Sequence, residues 1–179
     1  VMDVYRKRGL TFNKEIEEKT TFICGDMAKK LYNIPEEKLN NFLPDIDVVI
    51  SGGAEVNMVK SYSALEPVNV GGTFNGLELA ARAGASHILI STQLPLPGET
   101  PTGYRRSKEV AEMLCARAQK EMGIESSVLQ FGDINISREP GSLAPDDDYI
   151  VIFLRACLAT GFFPETDWAV SILCIDDCV

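Results

Sequence analysis

HILIST, residues 87–92, and GYRRSKEVAEMLCARAQKEM, residues 103–122, decide how this chain folds. The first is a short apolar run rich in β-branched residues, which reads as a buried strand. The second repeats apolar residues at helical period, with Val110, Ala111, Leu114, Cys115 and Ala118 along one face. A strand followed by a helix of this length is half of a crossover that returns the chain to the next parallel strand.

Working outward, the same alternation recurs. TFIC (residues 21–24) before Gly25-Asp26, DVVI (47–50) before Ser51-Gly52-Gly53, and SSVLQ (126–130) before Phe131-Gly132-Asp133 all read as buried strands. Helical segments are expected over 36–42 and roughly 57–83, with Pro67 bending or splitting the second because proline lacks the amide donor and crowds the preceding turn. Beyond Asp133 the pattern weakens into a polar stretch through Pro145-Asp146-Asp147-Asp148. A helix from about Tyr149 to Thr160 and a strand-like AVSILCI (169–175) follow. Apolar strands alternating with helices predict a doubly wound α/β fold with a parallel sheet covered on both faces.

The composition narrows the function. A net charge of -9 opposes non-specific binding to nucleic acid, which needs a basic footprint, and Lys29-Lys30 and Arg105-Arg106 are the local exceptions. Five scattered cysteines without a CxxC pair suit a reducing compartment and read mainly as small core residues. With a single histidine, His87, zinc sites and Ser-His-Asp chemistry are disfavoured, so no metal is expected. No apolar run approaches a bilayer span, and a cytoplasmic location is the default.

Tyr104 and Lys108 stand four residues apart, which on a helix puts a phenol and an ammonium on one face. The cation stabilises the phenolate, so the tyrosine can give or take a proton during hydride transfer to or from a carbonyl. The spacing alone is weakly specific, and context strengthens it. The pair opens a helix that follows a strand ending in Ser91-Thr92, where a hydroxyl can bind the carbonyl oxygen. Gly52-Gly53-Ala54, directly after a strand, lets a ligand approach the backbone closely. The glycine-rich NVGGT (69–73) follows a helix and is not a phosphate loop, and no GxGxxG follows a strand anywhere in the chain.

The string DVVISGGAEVNMVKSYSALEPVNVGGTFNGLELA (47–80) resembles the thioester reductase domains of alpha-aminoadipate reductases, carboxylic acid reductases and nonribosomal peptide synthetases, which belong to the extended short-chain dehydrogenase/reductase superfamily. GDMAKKLYNI (25–34), ISTQ (90–93), GYRRSKEVAE (103–112), FGDINISREPG (131–141) and RACLATGFFPETDWAVSILCIDDCV (155–179) continue the likeness in order. It implies a Rossmann-like domain over 1–179 that is incomplete at its N-terminal βαβ unit, with a substrate-side region from about 133. Both ends are expected to continue in a longer protein. The resemblance further implies Thr92, Tyr104, Lys108 and Asn69 as catalytic residues. Asp26, Gly52, Gly53, Ala54, Lys108 and Gly132 would line the cofactor. The implied reaction is NADPH-dependent reduction of an acyl thioester, carried by phosphopantetheine on a carrier domain, to an aldehyde or alcohol.

Three departures from the family accompany the match. The glycine-rich turn that binds the pyrophosphate is not in this sequence, Gln130-Phe131 replaces the usual Arg-Pro, and the segment between Thr92 and Tyr104 is short. Two alternatives therefore stay open: a short-chain dehydrogenase acting on a nucleotide sugar or free carbonyl compound, and a non-catalytic domain that keeps the fold.

Overall fold

The computed structural model describes residues 13–91, 101–138, 148–165 and 172–178. They fall into two compact units, one spanning Thr21–Gln130 and one combining the residues up to Thr20 with those from Phe131 onward.

The first unit is built on a three-stranded parallel sheet in the order β1 (Val48–Ser51), β2 (Ser86–Ser91), β3 (Ser126–Gln130). Val49 pairs with His87 and His87 with Ser126, so residues in register share a face. Each strand returns through a long helix, α3 (Tyr62–Ala83) and then α4 (Gly103–Met122). Two shorter helices complete the numbering before them, α1 (Lys14–Glu18) in the second unit and α2 (Glu36–Phe42) in the first.

Side-chain alternation along the strands sends Leu89 and Val128 against α3 and α4. There they join Leu77, Ala80, Ala111, Cys115, Ala118 and Ile124 in one core. A second cluster packs Leu39 of α2 with Leu31, Leu43 and Leu79. Full burial of a leucine such as Leu89 contributes about 2 kcal/mol. The parallel, Rossmann-like architecture is the expected one, and α4 has its expected limits.

Several local expectations need correction. Residues 21–24 form no strand, and Phe22, Ile23 and Cys24 are exposed. An apolar β-prone run becomes a strand only where a neighbour completes its ladder, and no described strand lies beside it. Pro67 does not split α3. It sits in the second turn, where the carbonyl it leaves without an intrahelical donor belongs to exposed Ser63. That helix starts at Tyr62, because the Asn57 carboxamide accepts from the amides of Val59 (3.0 Å) and Lys60 (2.9 Å) and turns the chain first. The sheet face opposite α3 and α4 is not covered along its length, since Val48 and Leu129 are exposed and Ile50 is 64% exposed. Of the five cysteines only Cys115 and Cys157 are buried.

In the second unit, α5 (Tyr149–Thr160) matches its expected limits and is capped by Asp148, whose carboxylate accepts from the amide of Ile150 at 2.9 Å. β4 (Asp133–Ile136) pairs in parallel with β5 (Ile172–Cys174). β4 lies just where the sequence pattern weakens, and its four residues are too few to show a period. Arg138 secures the end of this pair through its amide to Asp176 at 2.8 Å and its guanidinium to Asp177 at 2.5 Å.

Candidate active site

Thr102 caps α4, its hydroxyl accepting from the amide of Arg105 at 3.2 Å, and so sets where the first turn begins. That turn carries Tyr104 and the next carries Lys108, and their relative exposures are 3% and 5%. Lys108 Nζ donates to the carbonyl oxygen of Ile90 at 3.2 Å, hooking the helix onto the carboxyl end of β2. Burial pushes the Lys108 ammonium below its ordinary value, opposed by the negative charge of Glu112. One of its three protons is spoken for by Ile90, which leaves donors for another acceptor.

Asn69 points from α3 towards the same turn. Its Oδ1 accepts from the amide of Glu55 at 2.7 Å, and its Nδ2 donates to the Glu55 carbonyl at 3.2 Å and to Ser107 Oγ at 2.9 Å. Tyr104, Lys108 and Asn69 are thus gathered at one end of one sheet, although Asn69 reaches the pair through Ser107. Thr92 lies outside the described residues. Its neighbour Ser91 is fully buried, and Ser91 Oγ is the one buried side-chain polar atom among the described residues with no hydrogen-bond partner.

Gly52 and Gly53 are exposed just beyond β1. A methyl at Gly52 would meet nothing nearer than Ile90 Cγ1 at 3.9 Å, whereas one at Gly53 would lie 2.8 Å from Met27 Sδ. Ala54 is half-buried beside them. Asp26 is exposed and holds its own turn, its Oδ1 accepting from the Ala28 amide at 3.0 Å. Gly132 is buried and belongs to the second unit. The residues in the first unit suit a nucleotide cofactor. The carboxyl edge of a parallel sheet is open at two glycines, a buried lysine keeps free donors, and a buried serine hydroxyl keeps an unmet bond.

Sequence reasoning missed Ser107. Ser107 is three residues from Tyr104, so helical spacing already placed it on the tyrosine's side of α4. In the sequence Ser91 is only part of the strand end Ser91-Thr92, and its unmet hydrogen bond is visible only in the structure. Reasoning from a lone histidine also overlooked a Ser-His contact, with Ser51 Oγ 2.9 Å from His87 Nε2. Ser126 Oγ, not a carboxylate, stands 3.1 Å from His87 Nδ1, and His87 is buried, which makes this a core contact. Burial lowers the His87 pKa. A groove of about 420 Å³ between α3 and α4, lined by Phe74, Leu77, Leu114 and Met122 among others, lies away from Tyr104. It is centred near Ala118, roughly 20 Å further along the helix. No group of residues suited to a metal ion occurs among those described.

Fold and site edge together define a Rossmann-like α/β domain of the kind that binds dinucleotides. The sequence pattern of the NAD-binding family described as male sterility protein matches residues 3–98 and 91–179, and the chain belongs to that family. Glycine betaine reductase of Emericella nidulans is 26% identical over 185 residues, which cover 92% of this chain and 14% of that protein. The L-2-aminoadipate reductase of Schizosaccharomyces pombe is 28% identical over 189 residues, covering 89% of this chain and 13% of that protein. Among solved structures, the terminal R domain from the myxalamid PKS-NRPS biosynthetic pathway superposes with a TM-score of 0.85 at 26% identity, covering 98% of this chain and 50% of that one. The PhqB reductase domain from Penicillium fellutanum gives 0.82 at 20% identity, over 99% and 49%. A UDP-glucose 4-epimerase from Thermotoga maritima gives 0.60 at 17%. The resemblance to reductase domains noted in the sequence is thereby borne out, and the chain spans about half of such a domain.

Proposed function

We propose that this chain is part of an NADPH-dependent reductase that converts a carrier-bound acyl thioester to an aldehyde or alcohol. The observation that carries the reading is the buried Tyr104–Lys108 pair, tied to the carboxyl end of β2 by the Lys108–Ile90 bond. The similarity to L-2-aminoadipate reductases and to a PKS-NRPS terminal domain supports this substrate class over a nucleotide sugar, as the epimerase superposes less well.

Bound nicotinamide supplies the hydride in such chemistry. Tyr104 gives its phenolic proton to the substrate oxygen as that oxygen gains charge, and Lys108 stabilises the phenolate left behind. Thr92 holds the same oxygen through its hydroxyl. Gly52, Gly53, Ala54 and Asp26 line the cofactor in the first unit, and the substrate-side region begins in the second, from about residue 133. A phosphopantetheine arm on a carrier domain presents the thioester. After addition the hemithioacetal collapses, releasing the thiol of the arm and the aldehyde. The location proposed is cytoplasmic; among the described residues no helix is long and apolar enough to cross a membrane.

Tyr104→Phe in the full-length protein is expected to lower thioester reduction about a hundredfold or more, since it removes a positioned proton donor. NADPH consumption with an acyl-pantetheine substrate measures it, and an unchanged rate overturns the mechanism.

A further inference from the structure

Asn69 commits its oxygen and both amide protons. Its oxygen and one amide proton pair with the N–H and C=O of Glu55, much as a neighbouring strand would, and its second proton goes to Ser107 Oγ. Ser107, fully buried, passes the chain of bonds on by donating to the Tyr104 carbonyl at 2.6 Å. Because that hydroxyl proton is committed to Tyr104, the oxygen is free to accept from Asn69, so the direction of every bond is fixed. A buried network satisfied in this way specifies one arrangement of the elements it joins.

A second contact binds the same two elements. A methyl group at Gly103 would lie 2.4 Å from the Lys60 carbonyl oxygen and 2.6 Å from backbone atoms of Ser61 and Tyr62. The start of α4 therefore lies directly on the end of the loop whose beginning is Gly52-Gly53-Ala54. Between these anchors the loop is closed by the Asn57 turn and the Lys60–Glu55 ion pair.

We propose that Ser107 is a positioning residue that registers the loop after β1 against the helical turn carrying Tyr104 and Lys108. This rests on the function proposed above. The hydroxyl touches no reacting atom; it sets the distance between the cofactor-side loop and the proton donor through Asn69 and Glu55. Misplacement of a reacting group by about an ångström lowers rates by about two orders of magnitude, so partial loosening is expected to lower kcat about tenfold.

The test uses the full-length protein, with kcat expressed per folded molecule after thermal melting of each variant. Ser107→Ala is expected to lower kcat about tenfold, and Ser107→Thr, which keeps the hydroxyl, to recover it to within about threefold. Combining Ser107→Ala with Asn69→Ala is expected to lower kcat no further than the worse single change, because both break one bond. Gly103→Ala, acting at the other anchor, is expected to lower kcat while Ser107 is intact. The proposal is overturned if Ser107→Ala keeps kcat within about twofold while Tyr104→Phe is inactive, if Thr fails to recover the rate, or if the two losses multiply. An active Tyr104→Phe sinks the proposed function and this role with it. Hydrogen exchange at the Glu55 amide then reads the coupling apart from turnover: Ser107→Ala accelerates it if the link through Asn69 holds the loop, and unaltered exchange shows that it does not.

Discussion

Helices α4 and α5 differ in how their sequences relate to burial. α4 mixes charges with small apolar residues and buries Tyr104, Ser107, Lys108, Ala111, Cys115 and Ala118 along one stripe. α5 is apolar almost throughout, with Arg155 its one charge, yet only Ile150 and Cys157 are buried, and Leu158 is 75% exposed. Apolar content alone thus does not mark the helix that carries a core. Period does, because a stripe matched to one partner surface buries completely, while an all-round apolar helix needs partners on several sides.

Four substitutions bear on this contrast. The largest effect is expected for Ala111→Glu, which places a carboxylate against Leu89 and Leu77 and abolishes folding or lowers stability by about 3 kcal/mol or more. Leu158→Glu on α5 is expected to change stability by no more than about 0.5 kcal/mol. Denaturant midpoints compare the two, and a comparable loss at Leu158 would show that its exposed face is covered in solution.

Lys108→Met sharpens the reading of the inner stripe. Burial disfavours the Lys108 charge, so its removal is expected to leave the melting temperature unchanged or higher at pH 7, while reduction of the thioester falls about a hundredfold or more. A marked fall in melting temperature would show that the ammonium stabilises the fold.

The smallest effect concerns His87. Its folded-state pKa is lowered, so below about pH 6.5 the unfolded chain takes up a proton that the native core resists. Stability contributed by neutral His87 is therefore present above that pH and is lost as the pH falls towards the folded value. Melting curves of His87→Gln between pH 7 and pH 5 are expected to decline less steeply than those of the unaltered protein. Parallel declines would remove His87 as the source.

The contrast also explains what the sequence could convey. α4 and β3 are legible to the residue because helical period in the one, and a short apolar run closed by Phe131-Gly132-Asp133 in the other, agree with the structure. Residues 21–24 misled because strand propensity says nothing about whether a partner strand stands beside it. Pro67 misled because its effect depends on which carbonyl it leaves free, a matter of helix start and exposure. In the site, the i, i+4 relation of Tyr104 and Lys108 needed no structure. The junction through Asn69 to Glu55 spans 14 residues in one direction and 38 to Ser107 in the other, and no local pattern encodes such contacts.

Met27 lies between two glycines, close enough that a methyl at Gly53 would come 2.8 Å from its sulfur and one at Gly72 would come 2.7 Å from its terminal carbon. The three positions share a single volume. Enlarging either glycine requires the flexible end of Met27 to move aside, so the three residues form a size-coupled set, and any loss of stability in Gly72→Ala is expected to be relieved by Met27→Ala in melting temperature. Met27 is only half-buried, so its thioether is open to oxidation beside the glycine turn after β1, and a polar sulfoxide there is expected to loosen the packing of that turn against α3.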